Sequence, residues 1–352
     1  MSGKHGIVCM GLLMLLSSCH DDKQVTASGL QRKDFQTEVN GQYTDLFTLS
    51  NKKGMEVCIT NYGARVVSIL VPDRNGKRED VVCGFSTITE YMEQRQNFGS
   101  TVGRYIGRIL NARFTLDGVE YKLVPNNGKS GHISHGGNPG FADRIWKVEQ
   151  ADTHRVCLSY LSPDGENGFP GNLKVTLVYS LGEDENALDL TYEATTDAPT
   201  VLNLSHHSFF NISGDFTKSV EDQQLWVDAD RFTPYDDKKC VTGEYLPVAG
   251  TPLDFRMPHT IGECIDADHP QLKVVNGYDH TWELNTKGDD TRPAAWVYDP
   301  TSGRKMEIFT TEPGIQIYTG NGLKGKMTGK RGIAYPFRSA VCFETMHFQD
   351  SP

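Results

Sequence analysis

The 352 residues include 35 Lys and Arg against 45 Asp and Glu, a formal net charge of −10, with 38% hydrophobic and 23% charged side chains. That is the composition of a folded soluble protein, not of a disordered one, and the length permits one large or two medium domains. The acidic balance argues against a nucleic-acid binder, which needs clustered cations against phosphates. The 35 glycines and 16 prolines favour many turns over long helices, excluding a coiled coil, a collagen or a multi-span membrane protein.

Residues 1–18 read as a signal peptide. Lys4 precedes the apolar run 7–16, which is too short to span a bilayer as a helix and suits a signal-peptide core. Leu16-Ser17-Ser18-Cys19 resembles the cleavage box of bacterial lipoproteins. The resemblance implies lipidation of Cys19 and a place in the bacterial cell envelope, facing the periplasm or the cell surface, with the anchor as the only membrane contact. An ordinary secretory signal with an incidental cysteine is the alternative. Residues 19–32 are polar and read as a tether, and 33–352 as a single domain.

Beyond the signal lie Cys58, Cys83, Cys157, Cys240, Cys264 and Cys342, with no C-x-x-C pair, so a zinc ribbon or thioredoxin motif is unsupported. Cys58, Cys157 and Cys342 sit in apolar strand-like runs and are expected in the core. An oxidising envelope would permit disulfides, but the sequence does not pair them.

Period-two alternation recurs in chain order. Residues 66–71 and 80–82 flank a turn on Asn75-Gly76. Thr87 and Glu90 form a capping-box signature for a short helix to about Arg95. Phe114 and Leu116 precede Asp117-Gly118, and Val119, Tyr121 and Leu123 follow, a strong two-residue hairpin signal. Further alternating runs cover 173–179, 188–192, 305–310, 314–319 and 340–344. Many strands with few helices predict packed antiparallel sheets, an all-β sandwich.

Two motifs are decoys. Gly320-Asn321-Gly322-Leu323-Lys324-Gly325 matches G-x-G-x-x-G, but no helix is predicted to open from it, and Met327 holds the Ser/Thr place of a phosphate loop. His206-His207 and Asp279-His280 suggest a metal, yet neighbours on a strand point to opposite faces, and no H-E-x-x-H is present. No metal site is predicted.

Other features are odd for a structural sandwich. Residues 203–211 (NLSHHSFFN) mix polar and aromatic side chains, His135 precedes two glycines, and Glu344 ends the apolar run Ala340-Val341-Cys342-Phe343. Together with Gly103-Arg104-Tyr105-Ile106-Gly107-Arg108-Ile109, Gly277-Tyr278-Asp279-His280, residues 311–321 (TEPGIQIYTGN) and Cys342-Phe343-Glu344-Thr345, they stand in the order found in aldose 1-epimerases (galactose mutarotases), which the chain resembles over everything after the tether. The resemblance implies the large antiparallel β-sandwich of the galactose mutarotase-like supersandwich type. It places Glu344 on a general base, His207 on a general acid and His135 on an auxiliary histidine near the ring oxygen. Arg108, Asp279 and Gln316 fall on positions that hold sugar hydroxyls. Phe209 stands where many members have tyrosine, His206 replaces a common asparagine, and Gly107 stands where some relatives have a sugar-contacting asparagine.

The implied reaction is interconversion of the α and β anomers of a hexopyranose by ring opening and reclosure. Opening takes a proton from the C1 hydroxyl and delivers one to the ring oxygen. Unperturbed pKa values of ~4.3 for Glu and ~6.5 for His make an ionised Glu344 and a protonated His207 accessible together, and a neighbouring carboxylate favours the imidazolium. Closure exchanges the roles, so the chemistry requires no cofactor; a structural calcium ion remains compatible with it. Phe209, Phe210 and Trp146 are candidates to pack against sugar C–H faces, and a pocket holding Asp279 and Glu344 is expected to be open and wet. The partner is a small-molecule aldose, and a monomer is expected. A glycoside hydrolase using Glu344 with Asp279 and a non-catalytic sugar-binding lipoprotein are the alternatives. The chain stops soon after Glu344, which suggests that the sandwich lacks its last C-terminal strands, leaving a sheet edge unpaired.

Overall fold

Asp117 and Gly118 both take positive φ (50° and 79°), joining strands Arg113–Leu116 and Val119–Lys122 in the two-residue hairpin that their sequence specifies. The structure is a computed structural model that describes residues 25–352; the apolar run 7–16, Cys19 and the start of the tether lie outside the described residues. The same local logic repeats along the chain. Strands Arg65–Pro72 and Arg78–Asp80 pair across the Asn75-Gly76 turn, the second ending at Asp80 rather than continuing to residue 82. Other boundaries move by a few residues: Leu173–Leu181, Leu188–Thr196, Lys305–Ile308, Gly314–Tyr318 and Val341–Met346.

Four large antiparallel sheets pack as two face-to-face pairs. Leu46–Ser50, Glu56–Thr60, Arg65–Pro72 and Arg78–Asp80 make one meander, and Lys147–Ala151, Arg155–Ser162, Leu173–Leu181 and Leu188–Thr196 make another. Val57, Ile59 and Val66 of the first share a core with Val156, Leu158, Val175 and Leu177 of the second. The third sheet has six strands, in the order Phe209–Phe210, Val341–Met346, Gly314–Tyr318, Asp279–Leu284, Ala229–Thr233 and Leu246–Pro247. Its Trp282, Ile315, Ile317 and Phe343 pack on Leu225, Val227, Ala295 and Val297 of the fourth sheet. Half-buried Phe210 touches both cores. This is an all-β sandwich.

Among the described residues there are two α-helices. In Ile88–Gln94 the Thr87 hydroxyl accepts from the Glu90 N–H at 3.2 Å, the Glu90 carboxylate accepts from the Thr87 N–H at 2.9 Å, and Arg95 closes the helix in the left-handed region. Pro270–Val275 was not foreseen. It is one short stretch with His269 as cap and Pro270 at its first position.

Two expectations need correction. The tether does not run to residue 32: Thr26, Ser28 and Leu30 are buried, and the Ala27 and Ser28 N–H groups donate to the buried Glu56 carboxylate at 3.0 and 3.1 Å. That carboxylate is buried and needs donors, so packing begins before residue 33. Cys157 is only half-buried, because alternation turns it away from Val156 and Leu158, whereas Cys58 and Cys342 are core residues. The six described cysteines are unpaired. Residues 319–328 contain no helix, as the loop reading of Gly320 to Gly325 requires.

Candidate active site

Register on the six-stranded sheet builds the floor of the site. Phe209, Cys342, Tyr318 and Asp279 lie opposite one another across four strands, and Glu344, Gln316 and Thr281 form the next row. Side chains two apart on a strand share a face, so both rows project from the side opposite the apolar core of Ile315, Ile317 and Phe343. The Thr281 hydroxyl donates to Gln316 Oε1 at 2.5 Å, and Gln316 Nε2 donates to Asp279 Oδ1 at 2.7 Å. These bonds hold the amide in one orientation and give the Asp279 carboxyl a donor.

The wall comes from the histidine segments. Ser205–His207 pairs with Ser100–Val102, and alternation aims His207 at the sheet while His206 turns away toward Tyr179. His207 stacks on Phe209 (ring centroids 5.0 Å apart, planes 17° apart) and places Nε2 3.3 Å from Glu344 Oε1. His135 meets His207 edge-on at 5.6 Å. Its backbone has φ +53°, and the next residue, Gly136, has φ +77° with a would-be Cβ only 1.9 Å from the Gly103 carbonyl oxygen. Only glycine allows this close approach. The Gly107 N–H points at His135 Nδ1 at 3.4 Å, which leaves the ring proton on Nε2.

A cavity of about 260 Å³ lies between these parts, lined by Arg108, His135, His207, Phe209, Asp279, Gln316 and Glu344. Thus the structure brings together seven of the nine side chains that the sequence nominates for catalysis and sugar contact. A larger open groove of about 570 Å³, around Tyr43, Phe47 and Val148, has no histidine in its lining. Two aromatic candidates do not reach the cavity. Trp146 is fully buried against Phe141 and Tyr160, and Phe210 packs into the two cores, because alternation sends it to the face opposite Phe209. Sequence reasoning in turn missed Tyr235, Tyr318 and Gln349, which also line the cavity. Tyr318 lay inside a quoted motif, but Tyr235 and Gln349 sit in loops without a local signal.

Burial governs the electrostatics. It pushes the Glu344 carboxyl well above its ordinary range, with the Asp279 charge adding to the effect. It pushes His207 well below 6.5, assisted by His135, and brings His135 down to about 4, assisted by Arg108. Asp279 is also raised by burial, against the opposing pull of Arg108. Burial thus works against the expected ionised Glu344 and charged His207. Desolvation drives both groups toward their neutral forms. Glu344 is also less solvated than an open, wet pocket implies, at 3% exposure.

His207, Cys342 and Glu344 could each offer one ligand atom to a cation, all within 4.8 Å of one another. Burial and the Glu344 charge hold the Cys342 thiol well above its ordinary pKa, and a protonated thiol is a poor metal ligand.

Comparison with known proteins gives the family. The aldose 1-epimerase family profile matches residues 45–352. Galactose mutarotase of Sus scrofa is 39% identical over 297 residues, 84% of each chain, and aldose 1-epimerase of Escherichia coli is 35% identical over 314 residues, 89% of each. Among solved structures, an aldose epimerase homologue from C. elegans superposes with a TM-score of 0.80 at 30% identity, covering 88% of this chain and 91% of that one. Galactose 1-epimerase from Lactobacillus acidophilus gives 0.78 at 29% identity, covering 89% of each. On the family profile and these relatives, this chain belongs to the aldose 1-epimerase family.

Proposed function

We propose that this chain interconverts the α and β anomers of hexopyranoses such as glucose and galactose, with Glu344 and His207 exchanging protons with the hemiacetal. The observation that carries this reading is the 3.3 Å contact between Glu344 Oε1 and His207 Nε2 at a cavity the size of one sugar ring. In ring opening, Glu344 takes the proton of the C1 hydroxyl as the C1–O5 bond breaks, and His207 delivers a proton to O5. The open aldehyde turns about C1–C2. Closure then runs with the roles exchanged: Glu344 returns a proton to the carbonyl oxygen, His207 removes one from the C5 hydroxyl, and O5 attacks the other face of C1.

Proton counting supports the assignment. An ionised Glu344 with a charged His207, and a neutral Glu344 with a neutral His207, hold the same single proton. The first arrangement opens the ring and the second closes it, so the pair needs no exchange with solvent between the two steps. Burial favours the second arrangement, and a bound hemiacetal hydroxyl beside Glu344 favours the first. His135, neutral and bearing its proton on Nε2, can donate toward the ring oxygen region. Arg108, Asp279 and Gln316 hold the remaining hydroxyls through donors and acceptors in fixed positions. Phe209 offers a ring face but no hydroxyl.

Polarimetry on freshly dissolved α-glucose or α-galactose tests the reading. Glu344→Gln and His207→Asn should each lower kcat at least about a hundredfold while circular dichroism stays unchanged. Equilibration at the unmodified rate by either variant would refute the roles. We also infer, from the sequence before residue 25, that Cys19 carries a lipid and holds the domain at the cell envelope. Cys19→Ala should then release the protein from the membrane fraction, and continued sedimentation with membranes would sink that inference.

A further inference from the structure

We propose that Gln349 is a substrate-contacting residue that sets sugar preference, its amide filling the part of the cavity that a side chain at position 107 would otherwise occupy. The inference rests on the reading that the cavity binds an aldose with its C1 end at Glu344 and His207. Gly107 has φ +75°, and a Cβ there would lie 2.6 Å from Gln349 Cγ, 3.1 Å from Cδ and 3.3 Å from Oε1. The two positions thus compete for one space, and glutamine holds it.

The orientation of this amide follows from its neighbours. The Asp279 carboxylate accepts from the Gln316 amide N–H, so Gln316 must turn its oxygen toward Gln349. Gln349 meets that oxygen with its own Nε2 at 3.3 Å and donates from the same nitrogen to the Tyr235 hydroxyl at 2.8 Å. Its Oε1 is left with no protein donor among the described residues, in a side chain that lines the cavity. An acceptor so placed suits a sugar hydroxyl on the Arg108 and Asp279 side, away from the reacting carbon.

Gln349 is also held firmly. The Asp350 N–H donates to the Arg108 carbonyl at 2.9 Å, the Leu110 N–H donates to Asp350 Oδ1 at 2.9 Å, and the Ser351 N–H donates to the Tyr105 hydroxyl at 2.9 Å. The segment after strand Val341–Met346 is therefore strapped along 105–110, the stretch that carries Gly107. A fixed acceptor discriminates between hydroxyl patterns better than a mobile one, because a sugar lacking the matching hydroxyl leaves it unpaired.

A two-position cycle tests this. Gln349→Ala should raise KM for glucose or galactose about tenfold with kcat changed less than about twofold, the signature of a lost binding contact. Within a set of monodeoxy sugars, the one lacking the contacted hydroxyl should show the same KM with either protein. Gly107→Asn, whose side chain tolerates positive φ, should collide with Gln349 and weaken binding, and adding Gln349→Ala to it should recover affinity. An unchanged KM in Gln349→Ala, or strictly additive losses in the double variant, overturns the proposal. If the unmodified chain fails to speed anomer exchange, the catalytic reading fails instead. The Gln349 contact is then read from galactose binding by saturation-transfer NMR, where the same tenfold loss is expected and equal affinities would overturn it.

Discussion

Strands Leu173–Leu181 and Val341–Met346 are both rich in apolar residues, yet do opposite work. The first buries Leu173, Val175, Leu177, Tyr179 and Leu181 and turns the residues between them outward, where they are exposed or half-buried. The second is covered on both faces: Val341 and Phe343 face one apolar core, while on the other face Cys342 packs in a second and Glu344 lines the cavity, both at most 3% exposed. Burying Leu177 stabilises the fold in proportion to the apolar area removed from water. Burying Glu344 does not, because its carboxyl loses water and gains a single close partner at 3.3 Å. One strand supplies stability, and the other spends part of it to hold a reactive group dry.

The sharpest way to break this contrast is to exchange the measurements. Leu177→Ala should cost about 2–5 kcal/mol of stability while the folded fraction keeps its kcat. Glu344→Gln should do the reverse, changing stability by less than ~1 kcal/mol, since a neutral amide replaces a carboxyl that burial already favours as neutral. Denaturant melts alongside polarimetry check both. Equal stability losses from the two variants would end the distinction between scaffold strand and site strand.

The contrast also explains what was legible in the sequence. Strands with one wet face, such as those around Leu177 and the hairpin at Asp117-Gly118, announce themselves by alternation and turn chemistry. The helix after Thr87 was equally plain, because both halves of its capping box are written locally. Glu344, His207 and His135 were found through motif order, and alternation rightly turned His206 away from the cavity. Trp146 failed because aromatic character says nothing about which layer a side chain enters; its ring belongs to the packing around Phe141 and Tyr160. Tyr235 and Gln349 were invisible because loop residues reach the site by long-range folding, without periodicity to mark them. The protonation balance is hidden for a related reason: free-residue pKa values ignore burial, and burial is a tertiary property.

A smaller effect, graded with pH, sharpens the same comparison. Activity needs one proton on the Glu344 and His207 pair, so it falls when a second is added and when the sole one is lost. Adding the second proton charges an imidazole that burial and His135 hold well below 6.5. The acid limb of kcat/KM should therefore lie below 6.5, losing about tenfold per pH unit beyond it. Removing the sole proton ionises a carboxyl that burial holds well above its ordinary 4.5, so the alkaline limb is displaced upward from the normal carboxylate range. Between the limbs the profile should be flat. With spontaneous anomer exchange subtracted at each pH, an acid limb at or above 6.5 would mean that His207 titrates as a solvated imidazole. The site strand would then be as wet on its inner face as the scaffold strand is on its outer one.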